Sequence, residues 1–161
     1  MVLAGLVAWS AGARAESLWE AEVRAGYGVA IAGGQGMETT RRSPLTLAAT
    51  GAMALNDDPL LYGFGGFTIE TIDRNTIGAL GGIRLQSARS PLRLAGGATY
   101  IFAPKTLWGA FASGGACHRT GATVKLCGDL QVTTYFEGTD LPTGHMVTEG
   151  QLVLGVVFDA P

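Results

Sequence analysis

Between Ala122 and Phe136 the chain reads ATVKLCGDLQVTTYF, and its even-numbered positions Ala122, Val124, Leu126, Gly128, Leu130, Val132, Thr134 and Phe136 are apolar or small. The odd-numbered positions Thr123, Lys125, Cys127, Asp129, Gln131, Thr133 and Tyr135 carry the polar and charged groups. A two-residue period held over this length means an extended strand with one apolar and one polar face, because successive side chains of a pleated strand point to opposite sides. The pattern returns near the start, where Trp19, Ala21, Val23, Ala25, Tyr27, Val29 and Ile31 alternate with Glu20, Glu22, Arg24, Gly26 and Gly28. It returns again at the end, where Leu152, Leu154, Val156 and Phe158 oppose Glu149, Gln151, Val153, Gly155 and Val157.

Working inward from these strands, Leu45 to Leu55, Leu60 to Thr71, Thr76 to Gln86, Leu92 to Phe102 and Leu107 to Cys117 show the same alternation. The total is about eight strands, each near the ~9–11 residues that cross a bilayer. No internal run approaches the ~18 apolar residues of a transmembrane helix, so any membrane crossing has to be made by strands closed on themselves. The predicted fold is therefore all-β: an antiparallel up-and-down transmembrane β-barrel. One segment breaks phase, with Leu60, Tyr62 and Phe64 on one parity and Phe67 and Ile69 on the other. A bulge at Gly65-Gly66 would bring all five to the apolar face.

Alternation alone does not say which face is inside. A water-soluble barrel hides its apolar face, whereas a membrane barrel turns it outward. Two features favour the outward reading. Trp19, Tyr62, Tyr100, Phe102, Trp108, Phe136 and Phe158 lie near strand ends, as interfacial girdles do, and Tyr27 shares their apolar parity. The polar parity also mixes signs, which suits charges enclosed in a narrow lumen. The expected network sets Arg24, Arg84, Arg93 and Lys125 against Glu20, Glu22, Asp129 and Glu149.

Asn56-Asp57-Asp58-Pro59, Ser87-Ala88-Arg89-Ser90 and Arg119-Thr120-Gly121 are compact turn sequences. The longest polar connections, Gly33 to Arg42 and Gly138 to Val147, fall on the opposite side, with shorter ones at Asp73-Arg74-Asn75 and Ala103-Pro104-Lys105. Glycine is 25 of 161 residues. Much of it lies inside strands, where a tightly curved small barrel can use it to relieve crowding.

At the N-terminus, Val2 to Trp9 is apolar and ends in Ala13-Arg14-Ala15, a small-x-small cleavage pattern. Residues 1–15 are thus expected to be a signal peptide and 16–161 the barrel domain. No Lys or Arg precedes the apolar stretch, which leaves an upstream start open, and a buried N-terminal helix is the alternative. Export makes a disulfide chemically available. Cys117 and Cys127 share the polar parity if they pair across a turn around Gly121-Ala122-Thr123, where an antiparallel pair has Cα atoms ~4.5 Å apart. The alternatives are buried free thiols or a metal site with His118 as third ligand.

The chain resembles small outer-membrane barrels of the OmpA-transmembrane, OmpX and opacity-protein type, including barrels of deltaproteobacteria. The resemblance is carried by the Ala13-Arg14-Ala15 end, the alternating strands and the closing Gly150-Gln151-Leu152-Val153-Leu154-Gly155-Val156-Val157-Phe158. That segment is similar to the C-terminal strand read by the outer-membrane assembly machinery, although this chain continues through Asp159-Ala160-Pro161. The resemblance implies residence in a Gram-negative outer membrane, with its lipid, lipopolysaccharide and assembly machinery as partners. It implies no particular activity.

Net charge −2 gives no basic footprint for nucleic acid. Some small barrels are lipid-modifying enzymes or proteases, which gather a nucleophile, a base and an orienting acid at one rim. Here His118 lies by a compact turn and His145 in the last outer loop, where Glu149 or Glu38 is a candidate partner for it but no serine stands in a recognisable motif. No catalytic residue, metal or cofactor is expected. The leading function class is a structural or interaction barrel with a side-chain-filled lumen; a narrow pore for small solutes and a lipid-modifying enzyme are the alternatives, and the sequence names no protein partner.

Overall fold

The computed structural model describes residues 18–33, 39–42, 44–56, 60–71, 75–86, 90–139, 141 and 144–160. The expected signal peptide at 1–15 and Glu38 lie outside them. Nine strands follow in order: β1 (Trp19–Gly33), β2 (Thr39–Arg42), β3 (Leu45–Ala54), β4 (Leu60–Thr71), β5 (Thr76–Gln86), β6 (Leu92–Ala103), β7 (Leu107–Arg119), β8 (Val124–Gly138) and β9 (Met146–Ala160). From β3 onward each strand pairs antiparallel with the next, and β1 pairs with both β3 and β9. β1 and β3 to β9 thereby form a closed eight-strand barrel, while short β2 pairs only with the far part of β1, from Val29↔Arg42 to Ala32↔Thr39. Closure leaves no long unpaired edge.

Strand tilt follows from the register. Stepping across paired residues from Ala30 through Glu149, Thr133, Phe111, Gly97, Gly82, Phe64 and Ala52 returns to β1 at Glu20, ten residues nearer its start. A stagger of this kind requires strands inclined by roughly 35–45° to the barrel axis. The start of β1, the end of β9, the ends of β3, β5 and β7 and the turn at 120–123 lie at one end, here the terminal end, and the opposite strand ends lie at the far end; the compact sequences Asp57-Asp58-Pro59 and Ser87-Ala88-Arg89 fall outside the described residues.

Parity sorts the side chains as the alternation predicts in β1, β8 and β9. Leu130 is 69% exposed and Leu154 62%, against 4% for Lys125 and 3% for Asp129. Among the described residues, the Asp, Glu, Lys and Arg side chains of β1, β4, β5, β6 and β9 all face inward, and the outward-facing Glu137 of β8 sits at the far rim. The outer wall between the rims is apolar.

The expected bulge at Gly65-Gly66 is not present. β4 pairs regularly through both glycines, with Gly65↔Gly51 and Gly66↔Thr50 on one side and Gly65↔Gly81 and Gly66↔Leu80 on the other. Phe67 and Ile69 face outward, whereas Tyr62 is fully buried and Phe64 packs inside against Phe111, ring centroids 6.1 Å apart. The reason is volume. Inward Ala48 and Ala52 of neighbouring β3 leave room in the lumen that these rings fill, so Tyr62 belongs to the core and not to an outer girdle. The register shifts occur instead near the far rim, where Phe102 is the extra residue between Ile77↔Ala103 and Gly78↔Ile101, and Phe136 between Trp108↔Glu137 and Gly109↔Tyr135.

Glycine has a defined use at Gly82↔Gly97, inward-facing partners on β5 and β6. A Cβ on Gly82 would lie 2.1 Å from the Gly96 carbonyl oxygen, and one on Gly97 2.1 Å from that of Gly81. Only side chains without a Cβ let the two backbones lie this close.

Candidate functional site

Alternation in β1 and β5 to β9 delivers charged side chains from six strands to the part of the lumen near the terminal end. Arg84 bonds Glu20 and, at 3.2 Å, Glu22. Arg93 donates to Glu22 at 2.8 Å, and its Nε lies 2.9 Å from Asp129 Oδ1 while Nη2 contacts the other carboxylate oxygen. Lys125 Nζ reaches Glu20 at 2.7 Å and Asp159 at 2.9 Å, and Arg119 meets Asp159 at 2.7 Å. The Arg84 guanidinium also covers the Tyr62 ring, 4.8 Å from its centroid. The carboxylates and cations of β1, β5, β6 and β8 in this cluster are at most 5% exposed, so the network is buried.

Of the residues read from the sequence as lumen charges, the structure brings Glu20, Glu22, Arg84, Arg93, Lys125 and Asp129 together. Arg24 borders the cluster, over the Phe111 ring at 5.9 Å and lining a small cavity with Glu22, Arg84, Arg93 and Asp129, whereas Glu149 lies farther along, lining a second cavity with Arg24, Gln131, Thr133, Tyr135 and Gln151. That cavity of about 30 Å³ has room for roughly two waters. Sequence reasoning missed Asp159 and Glu70. Asp159 shares the inward parity of Val157 and Val153, which was the available signal. Glu70 accepts hydrogen bonds from the Thr76 hydroxyl at 2.7 Å and the Tyr135 hydroxyl at 3.0 Å. Its parity with Tyr62, Phe64 and Thr68 would have placed all four inside, had the aromatic rings not been read as outward.

Cys117 and Cys127 are directly opposite on β7 and β8 and form a disulfide with Cα atoms 4.0 Å apart. The turn beyond them is closed by the Thr120 amide donating to the Val124 carbonyl at 3.0 Å. On the outer wall, Trp19, Tyr27, Phe102, Trp108, Phe136 and Phe158 are exposed. Tyr100 shares that wall, stacked on Trp108 with centroids 4.2 Å apart and 6.3 Å from Phe102. His118 is exposed at the terminal end, and His145 belongs to the far-end connection. No group of three or more His, Cys, Asp or Glu with metal-binding geometry occurs among the described residues.

A closed eight-strand antiparallel barrel with an apolar wall and a charged, filled interior is the architecture of small outer-membrane barrels. The crystal structure of Neisserial surface protein A is similar to this chain with a TM-score of 0.54, covering 91% of this chain and 100% of that one at 14% identity. The likeness is one of fold. No protein-family model matches the sequence, and no curated protein matches it by sequence.

Proposed function

We propose that this chain is an outer-membrane β-barrel whose role is structural or interactive, with a lumen closed by its own side chains. The observation that carries the reading is the segregation of charge: buried, paired charges inside and an apolar wall outside, which is the arrangement hydrocarbon demands and water does not. In this reading Trp19, Tyr27, Tyr100, Phe102, Trp108, Phe136 and Phe158 contact lipid, and the outer leaflet supplies lipopolysaccharide as neighbour. Residues 1–15 serve as the export signal, and β9 is what the assembly machinery recognises. The interior argues against an open pore, since the Arg84, Arg93 and Lys125 network spans it.

Substituting Leu130→Arg tests the environment of the wall. In a bilayer an outward arginine near mid-height is expected to cost about 2–4 kcal/mol, read as a lower urea midpoint for the heat-modifiable band in lipid vesicles. A wild-type chain that stays in the aqueous phase, without a mobility shift on boiling, would sink the proposal. Single-channel recording of the wild-type chain is expected to show no steady conductance.

A further inference from the structure

The Cys117–Cys127 bond lies on the inward face close to the terminal rim, with Cys117 half-buried two residues before the end of β7. Cys127 is 5% exposed and lies on the inward face of β8 between Lys125 and Asp129, which are engaged in the charge network. Across from it on β9 is Gly155, where an added Cβ would be 2.8 Å from Glu22 Oε1, so the wall beside the sulfur is packed as well. Thiol–disulfide exchange needs an attacking thiolate in contact with a sulfur atom and in line with the bond that breaks. On the rim side the bond is covered by Arg119, Lys125 and Asp159, joined by ion pairs at 2.7 and 2.9 Å, and on the deeper side by Arg93 and Asp129, so a protein disulfide on the surface of an oxidase has no open in-line approach once these pairs have formed.

We infer that the β7–β8 hairpin is oxidised before the barrel closes, by exchange with an external dithiol-oxidising protein, and that closure then shields the bond from reductants. One cysteine thiolate attacks the acceptor's disulfide, forming a mixed disulfide and releasing one acceptor thiolate. The second cysteine thiolate displaces the acceptor, completing the Cys117–Cys127 bond, and the acceptor leaves as a dithiol with the two electrons and two protons. The inference rests on the export reading above for the supply of oxidant, and on the barrel for the shielding.

This order has a structural use. A one-residue slip of β8 against β7 would send Lys125 and Asp129 to the outer wall and Leu126 and Leu130 into the lumen. Only directly opposed residues can be bridged, so the bond fixes the Arg119↔Lys125 and Gly115↔Asp129 register before β9 adds to the sheet. The oxidised hairpin thus arrives with its charges already aimed inward.

The test treats wild-type barrel in lipid vesicles with dithiothreitol, followed by alkylation with a mass tag, beside the same protein unfolded in urea. Tagging of the heat-shiftable band is expected to be at least ~100-fold slower than in the unfolded chain, because it waits on opening of the barrel. In cells, reductant added before synthesis is expected to trap unassembled chain with two free thiols, whereas reductant added after assembly leaves the bond intact. A heat-shiftable barrel reduced as fast as unfolded chain, or one that assembles with free thiols and is oxidised only afterwards, overturns the order of events while leaving the barrel standing. A chain with no heat shift at all takes both readings down.

Discussion

The two halves of the lumen are filled by different chemistry. At the terminal end, Arg84, Arg93 and Lys125 are bound to carboxylates from β1, β8 and β9, and the filling is ionic. Toward the far end, Ala30, Ile101, Leu107, Tyr135 and Val147 form an apolar cluster, with Leu141 of the last connection packed on it. Hydroxyl and amide groups such as Thr76, Thr133 and Gln151 surround it, together with the buried carboxylates of Glu70 and Glu149, and among the described residues no ion-pair network as dense as that of the terminal end is formed there. Both arrangements close a narrow tube, but they respond differently to damage. An apolar side chain removed from a core leaves a hole, whereas one partner removed from a buried ion pair leaves an uncompensated charge. The ionic half ties six strands through few groups, so its members should be the less replaceable.

The sharpest way to break the contrast is Arg93→Met, which deprives Glu22 and Asp129 of a shared partner inside a buried cluster. The expected loss is about 3–5 kcal/mol, read from the urea midpoint of the heat-modifiable band. A loss under about 1 kcal/mol would mean that water reaches the cluster and that the two halves do not differ as described. Gly97→Ala probes the waist between the halves, where a Cβ meets backbone that cannot swing aside. Overpacking there is expected to cost about 1–3 kcal/mol, with the mobility shift on boiling retained. The smallest effect is expected from Tyr135→Phe in the far half. It removes one hydrogen bond to Glu70, which keeps that of Thr76, for a loss of about 1–2 kcal/mol by the same measurement. If Tyr135→Phe proves as damaging as Arg93→Met, the far half is held by its polar groups too.

The strands at the two ends of the chain were legible because their alternation is uninterrupted and their charges all share one parity. The cysteine pair was legible for the same reason, since odd numbers on both sides of a symmetric turn place both sulfurs on one face. Tyr62 and Phe64 were not, because a ring at a strand position looks the same whether it meets lipid or fills a lumen. The choice is made by the size of residues on the next strand, here Ala48 and Ala52, and alternation within one strand carries no information about its neighbour. Phe102 and Phe136 show the converse. Each is an extra residue at a shifted register near the far rim, and such a shift is set by the partner strand. Glu149 carries the right parity for the charge network, but parity gives the face and leaves height along the axis undetermined.

The pairing of β1 with β9 runs unbroken from Trp19↔Ala160 to Gly33↔Met146 and joins the first strand to the last. Its partners are also among the most distant in sequence, so the entropy of bringing them together is lost before any of this ladder is gained. That makes closure a late and slow event in folding. Once made, the same ladder has to part along its length before either strand can leave, so the folded lifetime is governed by how rarely it unzips. A barrel of this design is expected to persist long after conditions have ceased to favour its formation.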